Sequence, residues 1–158
     1  MPATSVENVL DEIVLRLRRI TTGNGFNYTI PNNTVNVSWQ DFLHWNKVTH
    51  FPAAFVLRGE ASYTGGQIGG QQRDRLPGMV WGYVKATSGV LSIAERFTAD
   101  IIKALATNRS TLLTDLSLAG LVAHMNLDGH DIVGDISTDL RICLVNFSLV
   151  FDRAIATL

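Results

Sequence analysis

Val6, Val9, Leu10, Ile13, Val14, Leu17 and Ile20 recur at steps of three and four residues, the period of one buried helix face. Thr4 and Glu7 stand at capping-box spacing at its start, where a threonine oxygen accepts an early backbone N–H and a glutamate reaches back. Acidic Glu7, Asp11 and Glu12 come before basic Arg16, Arg18 and Arg19, the order that a helix dipole favours. Glu12 and Arg16 also have the spacing and orientation of an ion pair along one helix. The pattern predicts a helix that ends at Thr21-Thr22-Gly23-Asn24-Gly25, where glycine and asparagine permit left-handed backbone. Three arginines sharing a helix with three acids, with no aromatic between them, predict a solvated last turn rather than a nucleic-acid surface.

The next stretch alternates more weakly. Phe26-Asn27-Tyr28-Thr29-Ile30 reads as a short strand stopped by Pro31-Asn32-Asn33, and Val35 and Val37 as a second. Trp39, Phe42 and Trp45 lie three apart, as on a helical turn, and three aromatics here cover a core edge or meet a partner. Phe51 to Arg58 is apolar and short, with its proline at the start where no central ladder bond is lost, which predicts a buried strand continued outward through Glu60 to Tyr63. Gly65 to Arg75 is polar and rich in glycine, and predicts a flexible loop joining two strands. It is no phosphate cradle, because it lacks a Gly-Lys-Ser/Thr ending and no helix opens directly behind it.

Met79 to Ala86 alternates as a strand, with Met79, Trp81 and Tyr83 on one face and Val80 and Val84 on the other. Ser92 and Glu95 repeat the capping-box spacing and open a helix over 92–107, its stripe formed by Ile93, Phe97, Ile101 and Leu105. Leu118–Leu127 and Leu140–Phe151 read as further strands, with Asp128-Gly129 a turn signal between extended runs. The sum is a single α+β domain over 1–158: two helices packed on a mainly antiparallel sheet, with a flexible glycine-rich loop near 65–75.

Composition sharpens this picture. The chain has 158 residues, a formal net charge of −1 and only 17% charged residues against 46% hydrophobic ones, where about 25% charged is ordinary. So little charge implies a large core or an exterior covered by neighbours, and the balanced sign argues against an electrostatic binder of nucleic acid or membrane. No apolar run is long enough to span a membrane, and the mixed polar start lacks the form of a signal peptide, which predicts cytosolic synthesis. The single cysteine, Cys143, lies in an apolar run and reads as a buried hydrophobe.

No catalytic constellation emerges. His124 and His130, with nearby Asp128, Asp131 and Asp135, are the densest candidate metal ligands, yet their spacing suits neither a helix face nor a calcium loop. There is no Gly-x-Ser-x-Gly elbow, and Glu60, Asp74 and Asp100 show no convergence. The residues predict no enzyme, no cofactor and no metal.

The order of features resembles a known family. The N-terminal helix runs into Ile20-Thr21-Thr22-Gly23-Asn24-Gly25-Phe26, and Phe51-Pro52-Ala53-Ala54-Phe55-Val56 is followed by Gly59-Glu60. A glycine-rich loop, a returning strand, one long helix and a long last strand complete the succession. This is similar to the tail terminator, or tail completion, proteins of long-tailed bacteriophages, although Leu112 to Asp139 matches nothing in that pattern. The resemblance implies a non-enzymatic ring, usually of six subunits, that caps the tail tube and carries the neck at the head-proximal end of the virion's tail. Its partners would be other copies of itself, the tail tube protein, a neck or connector protein and DNA passing through the channel, with no membrane. A neck or head–tail connector protein and a minor tail protein are the rival readings, and a small metal-dependent enzyme or ligand-binding module is the remote one. Trp39, Phe42 and Trp45 are the expected seam, and Arg58, Arg73, Arg75 and Lys85 either face the tube or channel or are solvated strand-end charges.

Overall fold

A computed structural model describes residues 6–39, 48–60, 62–63, 71–134 and 138–154. In chain order the elements are α1 (Val6–Leu17), the single turn α2 (Asn33–Asn36), β1 (Val37–Trp39), β2 (Ala53–Arg58), β3 (Ser62–Tyr63), β4 (Gln71–Lys85), α3 (Val90–Ala106), β5 (His124–Val133) and β6 (Leu140–Ala154). They form one six-stranded sheet in the order β1-β2-β4-β6-β5, with β3 beside β4. Among the described strands only β1 and β2 run parallel. The spine is the β4–β6 pair, in register from Gln71↔Ala154 to Lys85↔Leu140. The architecture is the expected α+β fold. Among the described residues no helix is long and apolar enough to cross a membrane.

Strand alternation decides which side is core. Ala54 and Val56 of β2, Leu76, Val80 and Val84 of β4, Cys143, Val145, Phe147, Leu149 and Phe151 of β6, and Met125 of β5 form one cluster with the helix stripes. Those stripes are Val9, Leu10, Ile13, Val14 and Leu17 of α1, and Ala94, Phe97, Ile101, Ala104 and Leu105 of α3. Gly82 lets α3 approach: a Cβ there would lie 2.7 Å from Ile101 Cδ1 and 2.8 Å from Phe97 Cε2. A second, smaller cluster of Val48, Ala53, Phe55 and Tyr83 lies on the helix-free face.

Polar side chains overturn several local expectations. Arg16 is no solvated residue: it is 1% exposed, with Nη1 donating to Leu105 O at 2.7 Å and Asp115 O at 2.8 Å. Its Nη2 lies 2.8 Å from Asp115 Oδ2. Arg18 donates to the carbonyls of Asn33 and Val37, so it too turns inward. Glu12, 6% exposed, receives Arg109 Nε at 3.0 and 2.9 Å instead of pairing with Arg16. The end of a helix leaves carbonyls without partners, and Arg16 satisfies one of them at the end of α3.

Phe26–Ile30 forms no strand: a side chain takes two of its backbone donors, and Phe26 N and Ile30 N donate to the carbonyls of Thr21 and Ile20. Asp100 of α3 accepts from Asn27 N at 2.9 Å and from Tyr28 N at 3.0 Å. Val35 and Val37 do not share a strand either: Val35 sits in α2, 71% exposed, and Val37 opens β1 fully buried. Trp39 ends β1 rather than lying on a helical turn, while Phe42 and Trp45 fall outside the described residues, as do Thr4 of the first capping box and residues 65–70 of the glycine-rich stretch. Gln71 to Arg75, read as loop, are strand, because β6 continues to Ala154 and supplies the opposite ladder.

Farther on, α3 starts at Val90 behind Gly89, whose φ of 66° makes the reversal out of β4. Ser92 therefore lies inside the helix, and no side chain caps it. Leu118 begins no strand, since residues between α3 and β5 turn around Asp115, which accepts from Ser117 N, Ser117 Oγ, Ala119 N and Asn108 Nδ2. Local side-chain bonds of this kind compete with a ladder. Asp128-Gly129 makes no turn: β5 runs through it, and the extra residue is absorbed as a register shift between Leu127 and Gly129.

Candidate assembly surfaces

Three surfaces carry the residues singled out by the sequence. The first lies between α1 and the edge strand β1. Trp39, 39% exposed, donates its indole N–H to Asp11 Oδ1 at 2.9 Å, which fixes the ring against α1. Asp11, Val14, Leu15, Arg18, Ser38 and Trp39 line a groove of about 310 Å³ there. Of the aromatic trio, Trp39 alone is described, and it is an accessible apolar group on a sheet edge.

The second surface is the end of the β4–β6 ribbon. Arg73 and Arg75 are exposed on one face of β4, and the ladder continues past β2 and β5 to Gln71↔Ala154. The four cations do not form one patch. Arg58 pairs with Gly78 and so belongs to the opposite face from Arg73 and Arg75, its Nε donating to Gly59 O at 3.2 Å. Lys85 lies at the far end of β4, roughly 40 Å from Arg73 at strand rise, with Nζ 5.9 Å over the Phe51 ring.

The third surface is the helix-free face of the sheet. Phe55, Trp81 and Leu144 stand opposite one another across three strands, and Leu57, Met79 and Asn146 form the next row. Trp81 Nε1 donates to Met79 Sδ at 2.6 Å, so the indole N–H is satisfied within the face. Among the described residues this face carries, beyond the small cluster, a depression of about 340 Å³ whose lining includes Leu57, Pro77, Met79, Trp81 and Asp128. Alternation of Met79, Trp81 and Tyr83 marks this face in the sequence, but their partners in β2 and β6 come only from the register.

Chemical groups are placed apart. His124 pairs with Val150 and His130 with Val145, so the bulge between them sends the two imidazoles to opposite faces of β5. Among the described residues no three His, Cys, Asp or Glu side chains could hold a metal together. Cys143 is fully buried, its Sγ donating to Ala94 O at 3.4 Å, and burial pushes the thiol up to about 11. A thiol in that state is a poor nucleophile. Asp115 is held well below the usual carboxylate range, chiefly by the Ser117 hydroxyl and then by Asn108 and the backbone of Ala119 and Ser117. That carboxylate is a structural anchor for the turns around it. Compared with known families and curated proteins, the chain matches none.

Proposed function

We propose that this protein is a tail terminator of a long-tailed bacteriophage, a structural subunit that closes into a ring of about six copies, caps the tail tube and receives the neck. The carrying observation is the succession of motifs along the chain: helix, Ile20 to Phe26, the Phe51–Val56 segment with Gly59-Glu60, returning strand, long helix and long last strand. Accessible apolar groups on two sides of the fold, Trp39 at the β1 edge and Met79 with Trp81 on the helix-free face, support a subunit whose exterior is covered by neighbours. A charge-poor chain supports the same reading. Head-to-tail contacts give a ring two unlike faces, so that one can meet the tube and the other the neck, with DNA passing between. The role is non-enzymatic and places the protein in the virion, at the head-proximal end of the tail.

A nonsense mutant of the phage tests this. It should yield full heads without tails, and free tails of irregular or excessive length. Tails of normal length that fail to join heads would move the protein to the neck or connector. Infectious particles lacking it would end the virion reading. In the purified protein, Trp39→Ala with Trp45→Ala should impair ring formation while leaving the subunit folded.

A further inference from the structure

The chain holds three methionines, Met1, Met79 and Met125. Met1 lies outside the described residues, and Met125 is fully buried in the main core cluster. Met79 differs from Met125. It is half-buried on the helix-free face of β4 and lines the depression of about 340 Å³ there, space enough to admit a small oxidant. A thioether reached in this way is open to conversion to the sulfoxide. Trp81, two positions on and on the same face, donates its indole N–H to Met79 Sδ. Sulfur is a weak acceptor for that donor.

We infer that Met79 is a site of methionine-sulfoxide formation, tuned by the Trp81 indole. With a peroxide as oxidant, a sulfur lone pair attacks one peroxide oxygen. The S–O bond forms, the O–O bond breaks, sulfur gives up two electrons, and the second oxygen leaves with both protons as water. Before the reaction, the Trp81 N–H draws on a sulfur lone pair and makes the sulfur a poorer nucleophile. Afterwards the same N–H finds a far stronger acceptor in the new oxygen, so the sulfoxide dipole is not left unpaired on an apolar face. Met125 has neither advantage, since a sulfoxide there would bury a polar oxygen among apolar side chains. Oxidation of Met79 makes polar one position of the surface it shares with Leu57 and Trp81. This chemistry belongs to the subunit alone and does not depend on ring formation.

The test treats the purified full chain with dilute hydrogen peroxide at neutral pH and locates the added oxygen by peptide mass. In the folded protein Met79 should react about 10-fold or more faster than Met125, and in urea the two should react alike. Equal rates in the folded protein would overturn the site. Trp81→Phe, checked for cooperative unfolding, should speed oxidation of Met79 about threefold, the worth of an ordinary hydrogen bond. The gain should be the same with hydrogen peroxide and with bulkier tert-butyl hydroperoxide, because the bond acts on the sulfur and not on access to it. An unchanged rate, or a gain confined to the bulkier oxidant, would overturn the role of Trp81. If Trp81→Phe fails to fold, the indole N–H resonance of Trp81 in wild type replaces it. That resonance should move downfield as the sulfoxide forms, and a resonance that stays in place would overturn the same role.

Discussion

The guanidinium of Arg16, on α1, lies 2.8 Å from the carboxylate of Asp115, 99 positions later in the chain, and also donates to Leu105 O at the end of α3. One side chain thus ties together the first helix, the long helix and the turns that follow it. Arg16 is fully buried at its side chain while Asp115 keeps 17% exposure, so the cation depends on the anion more than the reverse. Removing one partner of a buried pair leaves a charge uncompensated, at a cost of about 3–5 kcal/mol. Asp115→Ala is therefore expected to destabilise the fold by about 3 kcal/mol in urea unfolding. Arg16→Met should cost less than Arg16→Ala, because its stem still packs. The double variant Arg16→Met with Asp115→Ala should cost clearly less than the sum of the singles.

Asp115 also sets an acid limit. Its folded-state pKa is lowered, so its contribution is present above the unfolded value of about 4 and is lost as pH falls toward the folded value. Unfolding free energy measured across the acid range should decline below about pH 4. In Asp115→Asn that decline should be shallower, with stability at pH 7 lower by about 1–3 kcal/mol from the lost charged hydrogen bonds. An unchanged slope in the variant would assign the acid limit to other carboxylates.

Gly82 is where the long helix touches the sheet. A methyl group at that position would meet Ile101 and Phe97 at 2.7 and 2.8 Å, both fully buried side chains. Gly82→Ala should cost about 1–3 kcal/mol through overpacking. Ile101→Val in the same chain should recover part of that loss, because it trims the first clashing group. A double variant less stable than Gly82→Ala alone would show that the helix yields elsewhere.

The parts of the fold legible in the sequence are those in which apolar period alone decides: the stripe from Val9 to Leu17, the alternation from Met79 to Val84, and the last strand from Val145 to Phe151. The parts that were not legible are governed by long-range polar pairs. Nothing in the helix pattern distinguishes Arg16 from Arg19, yet Arg16 meets a carboxylate 99 positions away. Phe26–Ile30 has a strand's composition, but Asp100 captures its backbone. Asp128-Gly129 has a turn's composition, but β6 is long enough to hold β5 straight past it as a bulge. The candidate surfaces divide the same way. Trp39 and the Met79–Trp81 face follow from residue type and alternation, whereas the partners of Met79 and Trp81 in β2 and β6 come only from the register.

Cys143 sets the alkaline counterpart. Its side chain lies between β6 and α3, fully buried, and desolvation raises its pKa from 9.0 to about 11. The folded state then holds the thiol proton more tightly than the unfolded chain does. Stability is fully present below about pH 9 and falls as pH rises toward 11, by about 2–3 kcal/mol over those two units. Tyr83, raised to about 12 by burial, adds to the same decline from about pH 10 upward. Comparing wild type with Cys143→Ala separates the two: the variant should keep only the later, tyrosine part of the slope. Thiol labelling gives the independent check. At pH 8 the folded thiol is almost wholly protonated and out of reach of reagent, so modification must wait for an opening of the β6–α3 contact. Labelling should therefore slow by orders of magnitude relative to the urea-unfolded chain. The added cavity in Cys143→Ala should cost stability at pH 7 without changing self-association. A labelling rate equal to that of the unfolded chain would place the thiol outside the core.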